Sequence, residues 1–164
     1  MLILTMAFSS DVNAILTKIQ RAHTSVAVVI LSDRTGLTIS RVARLLVKET
    51  LGEYDLESIG AIGSAVFMGA SEQGNTLSLG VLELMIAEFG EGKILTSHCG
   101  PNGILIVVTD DNTQLGLVRV QIREASRHLA GLMSEIADQD QDDPLKRREE
   151  NQSIMEALKE LENF

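Results

Sequence analysis

The segment VAVVILSDRTGLTIS, Val26–Ser40, decides how the rest of the chain must be arranged. Val26 to Leu31 is aliphatic at every position, so a strand here has no wet face and belongs inside its sheet rather than at an edge. Asp33-Arg34-Thr35-Gly36 then breaks the run with a turn. Glycine tolerates positive φ there, and the aspartate side chain can accept hydrogen bonds from the backbone just downstream. Leu37 begins a second strand. A charged turn between two strands is a catalytic loop, a ligand loop or a plain bend, and the choice depends on which chemical groups the remaining sequence supplies.

That supply is narrow. The chain has 164 residues, 45% of them apolar and 23% charged, and its formal net charge is −9. One domain is the default at this length, with roughly 70% of the unfolded chain's surface buried on folding. Aromatic residues make up only 3% and tryptophan is absent, so recognition of bases or sugars by stacked rings is poorly provided for. The negative balance repels a phosphate backbone, which argues against nucleic acid and in favour of a basic patch on a protein partner. Cys99 is the single cysteine; it rules out an internal disulfide and fits a reducing, cytoplasmic setting. The opening MLILTMAF lacks a basic flank and a small-residue cleavage pattern. The longest aliphatic run, Val26 to Leu31, is far too short to cross a bilayer, so no membrane insertion is expected.

Working outward, Ser9 and Ser10 suit the cap of a first helix whose stripe is Val12, Ile15, Leu16 and Ile19. Ile39, Val42, Ala43, Leu46 and Val47 fit a helical period as well as a strand, which leaves Ser40 to Thr50 open between the two. Asp55-Leu56-Glu57-Ser58 opens another helix reaching about Ser71, with Gly60, Gly63 and Gly69 inside it. Each interior glycine costs about 1 kcal/mol against alanine. Close packing on its own sheet offsets that cost, or contact with the same helix of a second subunit does. From Leu82 to Phe89, Leu82, Leu84 and Ile86 alternate with Glu83, Met85 and Ala87. Turns at Gly90-Glu91-Gly92 and Gly100-Pro101-Asn102-Gly103 then carry the chain through Lys93 to Cys99 and Ile104 to Thr109, an antiparallel meander. From about Thr113, Leu115, Val118, Ile122, Ala125, Leu129, Leu132, Met133 and Ile136 hold a helical period for six turns. The domain is expected to span residues 1–137. Residues 138–144 read as an acidic linker whose charges repel, and 145–164 as an amphipathic tail helix with Ile154, Met155, Leu158 and Leu161 on one face.

No catalytic set emerges. Gly90-Glu91-Gly92-Lys93 lacks the earlier glycine of a phosphate loop, since Ala87 stands there, and Ile94 replaces the hydroxyl that would hold magnesium. The glycines at 60, 63 and 69 lie inside a helix instead of opening one, unlike a dinucleotide fingerprint. His23, His98 and His128 fall on different elements without ligand spacing, so no metal is expected. His98 and Cys99 point to opposite faces of a strand, badly placed as base and nucleophile. Asp110 and Asp111 stand where a strand gives way to a helix and suit its cap. No cofactor is implied, and the chain is not expected to be an enzyme.

The stretch DDNTQLGLVRVQIREASRHL, Asp110 to Leu129, taken with VVILSDRTGLTIS and the Gly/Ala-rich helix, resembles the Roadblock (dynein light chain) family, nearest its MglB branch of bacterial polarity regulators. The resemblance covers roughly residues 10 to 137, and Leu115-Gly116-Leu117-Val118-Arg119 is its most specific part; residues 43 to 55 do not align. It implies an α/β (α+β) sandwich in the order αββαβββα, with a five-stranded, mostly antiparallel sheet and a C-terminal tail helix. It further implies a homodimer joined along the strand near Leu82 to Phe89 and along the glycine-rich helix. Ile59, Gly60, Gly63, Phe67, Leu82, Leu84 and Ile86 are then the interface candidates. The partner so implied is a small Ras-like, MglA-like GTPase, whose GTP hydrolysis the dimer speeds without an arginine finger of its own, in cell polarity or motility. The tail residues Ile154, Met155, Leu158 and Leu161 would reach onto that GTPase. The alternative is a dimeric scaffold that tethers a GTPase or a larger complex without activating it. On either reading the 33–36 turn is a bend in a binding scaffold. A small-ligand sensory domain stands behind both by analogy of fold alone.

Overall fold

The computed structural model describes residues 2–141 and, beyond them, Gln152, Ser153, Met155 and Lys159. The chain runs α1 (Leu2–Ala22), β1 (Val26–Asp33), β2 (Thr38–Ala43), α2 (Leu45–Thr50), α3 (Glu53–Thr76), β3 (Leu84–Phe89), β4 (Gly92–Cys99), β5 (Gly103–Asp110) and α4 (Leu115–Gln141). The five strands form one sheet in the order β2-β1-β5-β4-β3, antiparallel at every pairing. As its composition requires, β1 lies inside this sheet, between β2 and β5.

Alternation along the strands builds two cores. Val29, Leu31, Leu95, Cys99, Leu105 and Val107 face Val12, Leu16 and Ile19 of α1 and Val118, Ile122 and Leu129 of α4. Val28, Ile30, Ile104 and Ile106 face the other way, against Leu56 and Phe67 of α3. Each fully buried aliphatic side chain contributes about 1.5–3 kcal/mol, so the interior strands β1 and β5, covered on both sides, anchor the domain. A buried hydroxyl pair, Ser32 Oγ to Ser64 Oγ at 2.6 Å, pins α3 to β1.

The element boundaries correct the sequence expectation in four places. Ser9 and Ser10 do not cap α1 but lie exposed within it, because no glycine or proline interrupts the chain between Leu2 and Ala22. The open segment Ser40 to Thr50 divides: the strand ends at Ala43 and the six-residue α2 follows, adding an element to the expected αββαβββα order. Arg44 stands at the break. Its guanidinium donates to the carbonyls of Gln20, His23 and Val26 at 3.0, 2.7 and 2.7 Å, tying the end of α1 to the start of β1. Third, α3 starts at Glu53, where the Asp55 carboxylate accepts the Gly52 N–H at 3.0 Å, and runs on to Thr76. Finally, α4 continues through Asp138-Gln139-Asp140 to Gln141, taking in the first half of the expected linker. Met155 of the tail is helical and exposed; Ile154, Leu158 and Leu161 lie outside the described residues.

Candidate functional site

Two features of the surface adjoin. Among the described residues the outer edge of β3 pairs with no strand, since β3 is last in the sheet order. An apolar edge left open is an invitation to pair with another chain. On the sheet face where Met85 of β3 packs against the core that holds Phe67, the middle of α3, from Ile59 to Gly69, is largely apolar on both sides. Leu56, Gly60, Ser64 and Phe67 turn inward and are buried, while Ala61, Ile62, Ala65, Val66 and Gly69 turn outward and are exposed. Ile62 is 64% and Val66 54% exposed. A helix with two apolar faces needs two surfaces to cover them. The sheet supplies one.

This placement sorts the residues expected at a dimer interface. A Cβ on Gly63 would stand 2.8 Å from Ile106 Cδ1, and one on Gly60 would stand 2.9 Å from Thr38 Oγ1. Both glycines therefore serve the approach of α3 to its own sheet, and Phe67 fills the core beneath. Within one chain, Gly60, Gly63 and Phe67 thus face their own sheet. Ile59 and Leu82 are half-buried against the α3-side core, and Leu84 and Ile86 of β3 are half-buried against the opposite core. Ile62 and Val66, with the small residues between them, form an exposed apolar stripe on the outer side of α3. The sequence signal for this stripe is a three-to-four residue spacing of apolar side chains, running beside the glycines of the inner side.

The 33–36 turn is a bend. Gly36 has φ +92°, and its N–H donates to the Asp33 carbonyl at 3.1 Å. The Asp33 Oδ1 accepts from the Thr35 N–H, the Thr35 hydroxyl and the Leu37 N–H at 2.8, 2.6 and 3.0 Å. Slight burial works against ionisation, but these hydrogen bonds outweigh it and hold the carboxyl below its ordinary value. The turn is therefore firmest above the ordinary carboxylate range and loosens as pH falls below it. Asp110 plays a similar part at the other end: its Oδ1 accepts from the Asn112 N–H at 3.0 Å. The first bonds of α4 run instead to the Gln114 carbonyl, so neither Asp110 nor Asp111 caps that helix.

Among the described residues no group of three or more His, Cys, Asp or Glu is placed to hold a metal ion. Cys99 is fully buried, and desolvation pushes its thiol up to about 12. The thiolate that a nucleophile requires is absent at neutral pH. Labelling with a thiol-specific reagent at pH 7 is expected to be slow in the native protein and complete on addition of denaturant; rapid native labelling would show that the α1/α4 core opens. No helix of the described residues is long and apolar enough to cross a membrane.

No protein-family model matches the chain. Two uncharacterized proteins of Methanocaldococcus jannaschii are each 31% identical to it over 91 residues, which is 56% of this chain and 79% and 76% of theirs. Among solved structures, the gliding protein MglB of Thermus thermophilus superimposes with a TM-score of 0.70 at 17% identity, over 79% of this chain and 93% of that one. MglB of Myxococcus xanthus gives 0.67 at 21% identity, over 76% and 96%. A Roadblock/LC7 domain of Streptomyces avermitilis gives 0.67 at 11%, over 74% and 97%.

Proposed function

We propose, from the premise that this chain belongs to one family with the M. jannaschii proteins and has the Roadblock fold of MglB, that it is a homodimeric regulator of a Ras-like small GTPase. The observation that carries the reading is the open β3 edge beside the outward apolar stripe of α3. A two-fold axis lets one such surface cover its own copy. β3 meets the β3 of a second copy, and Ile62 and Val66 meet the same helix across the axis. Leu84 and Ile86 then lie at the joint through their strand, and Leu82 through the connection that leads into it.

The dimer so formed offers one continuous surface to the GTPase and acts by holding its switch segments in the hydrolysing arrangement. It brings no nucleophile or metal of its own to the reaction. The tail stripe Ile154, Met155, Leu158 and Leu161 is proposed to reach the same partner. A role in cell polarity or motility rests on the likeness to the gliding protein MglB.

Single-turnover hydrolysis with candidate small GTPases from the same genome tests the reading. Acceleration of at least about tenfold is expected, a lowering of the barrier by about 1.4 kcal/mol, and it should fall when residues 145–164 are deleted. Binding without acceleration would favour the tethering scaffold. Absence of both would contradict the proposal.

A further inference from the structure

Where the connection between α3 and β3 passes α4, the surface forms a trough. Its main part encloses about 670 Å³. A smaller part of about 410 Å³ continues past Val81, Leu82, His98 and Gly100 to Arg34. Arg119, Arg123 and Arg127 line the main part. They stand four residues apart on α4, so their Cα atoms climb about 6 Å per step along one face. Among the described residues, Glu83 is the only carboxylate that lines either part. Its contact with Arg123 is 4.0 Å, between side chains 77% and 67% exposed, a pair of little worth in water. Arg34, Arg119 and Arg127 have no ion-pair partner among the described residues. On a chain of net charge −9, a row of three arginines with one weak ion pair among them, lining the same trough as the apolar Leu79 and Val81, is out of keeping with the rest.

We propose that this trough binds an acidic segment of a partner protein in extended conformation. Side chains at alternate positions of a strand are about 6.5 Å apart on one face, which matches the step of the arginine row. Carboxylates at those positions meet Arg119, Arg123 and Arg127, and the apolar side chains between them turn to Leu79 and Val81. Arginine suits the role because its planar fork takes a carboxylate through two parallel hydrogen bonds. The two parts share Val81, Leu82, His98 and Gly100 and so run on from one another, which suits a passing chain. This assignment does not depend on the chain's acting on a GTPase.

The test uses the full chain and a short fluorescein-labelled peptide that alternates glutamate with valine and threonine, followed by anisotropy. Saturable binding is expected, weakening with added salt as screening demands. The double variant Arg119→Glu/Arg123→Glu should weaken it at least about tenfold, as truncated charge pairs at interfaces commonly do. Both side chains are exposed, so the thermal midpoint should hold. Glu83→Gln, which frees Arg123, should tighten binding, a result that a merely structural role for Glu83 would not give. Three outcomes would overturn the proposal: no saturable binding, equal binding of a peptide with the same residues scrambled, or displacement by inorganic pyrophosphate at matched charge, which would make the trough a simple anion site.

Discussion

A chain carrying Ile62→Asp and Val66→Asp is expected to elute as a folded monomer, with self-association weakened at least about 10⁴-fold. Both side chains are already exposed in the single chain, at 64% and 54%, so the fold itself loses little; surface changes of this kind usually stay within about 0.5 kcal/mol. Across a two-fold axis the effect is different. Each substitution acts twice, and each apolar side chain covered there contributes about 1.5 kcal/mol or more. The lost burial alone reaches about 6 kcal/mol, roughly four decades in the dissociation constant. Covering carboxylates without partners adds to it. Light scattering and thermal melting together check the result. A dimer that persists would place the joint elsewhere, and a double variant that fails to fold would show that the outer stripe is needed within one chain.

Gly63→Leu is expected to do the reverse, costing stability without acting first on association. The missing side chain at Gly63 makes room for Ile106, whose Cδ1 would lie 2.8 Å from the new Cβ. Ile106 is fully buried on β5, the middle strand, so it has little freedom to move aside. Overpacking of a formed core costs about 1–3 kcal/mol per such intrusion, and leucine brings a full branched side chain. The gain of about 1 kcal/mol from replacing a helical glycine offsets only part of this. Gly69 supplies the control. Nothing lies within 4 Å of its added Cβ, so Gly69→Leu should raise the unfolding free energy of an Ile62→Asp/Val66→Asp background while disturbing association in the parent. Denaturant titration separates the two glycines. Equal effects at 63 and 69 would mean that α3 is rotated from the orientation described.

The contrast between these glycines shows what could be read from sequence. The doubly covered β1, the 33–36 bend, the meander of β3 to β5 and the period of α4 are set by local pattern and turn chemistry, and each is present, although β3 starts at Leu84 and not at Leu82. The two stripes of α3 are equally apolar, so periodicity cannot say which faces the sheet. Only the distance from Gly60 and Gly63 to Thr38 and Ile106 decides it. The end of β2 escaped for a related reason. Ile39, Val42 and Ala43 satisfy both periods, and the break is made by Arg44 bonding three carbonyls that are distant in sequence. The arginine row of the trough could not be told from sequence because Arg119, Arg123 and Arg127 read as the wet face of an amphipathic helix. Their meeting with the 77–83 connection is a product of the fold.

The central claim is that two copies close over the β3 edge and the outer face of α3. The mass of the unmodified protein by light scattering, over a concentration series, tests it most directly. The expected value is twice the 17.8 kDa of one chain, falling to that of one chain in the Ile62→Asp/Val66→Asp variant. A native protein that stays at 17.8 kDa at concentrations of about 100 μM would contradict it.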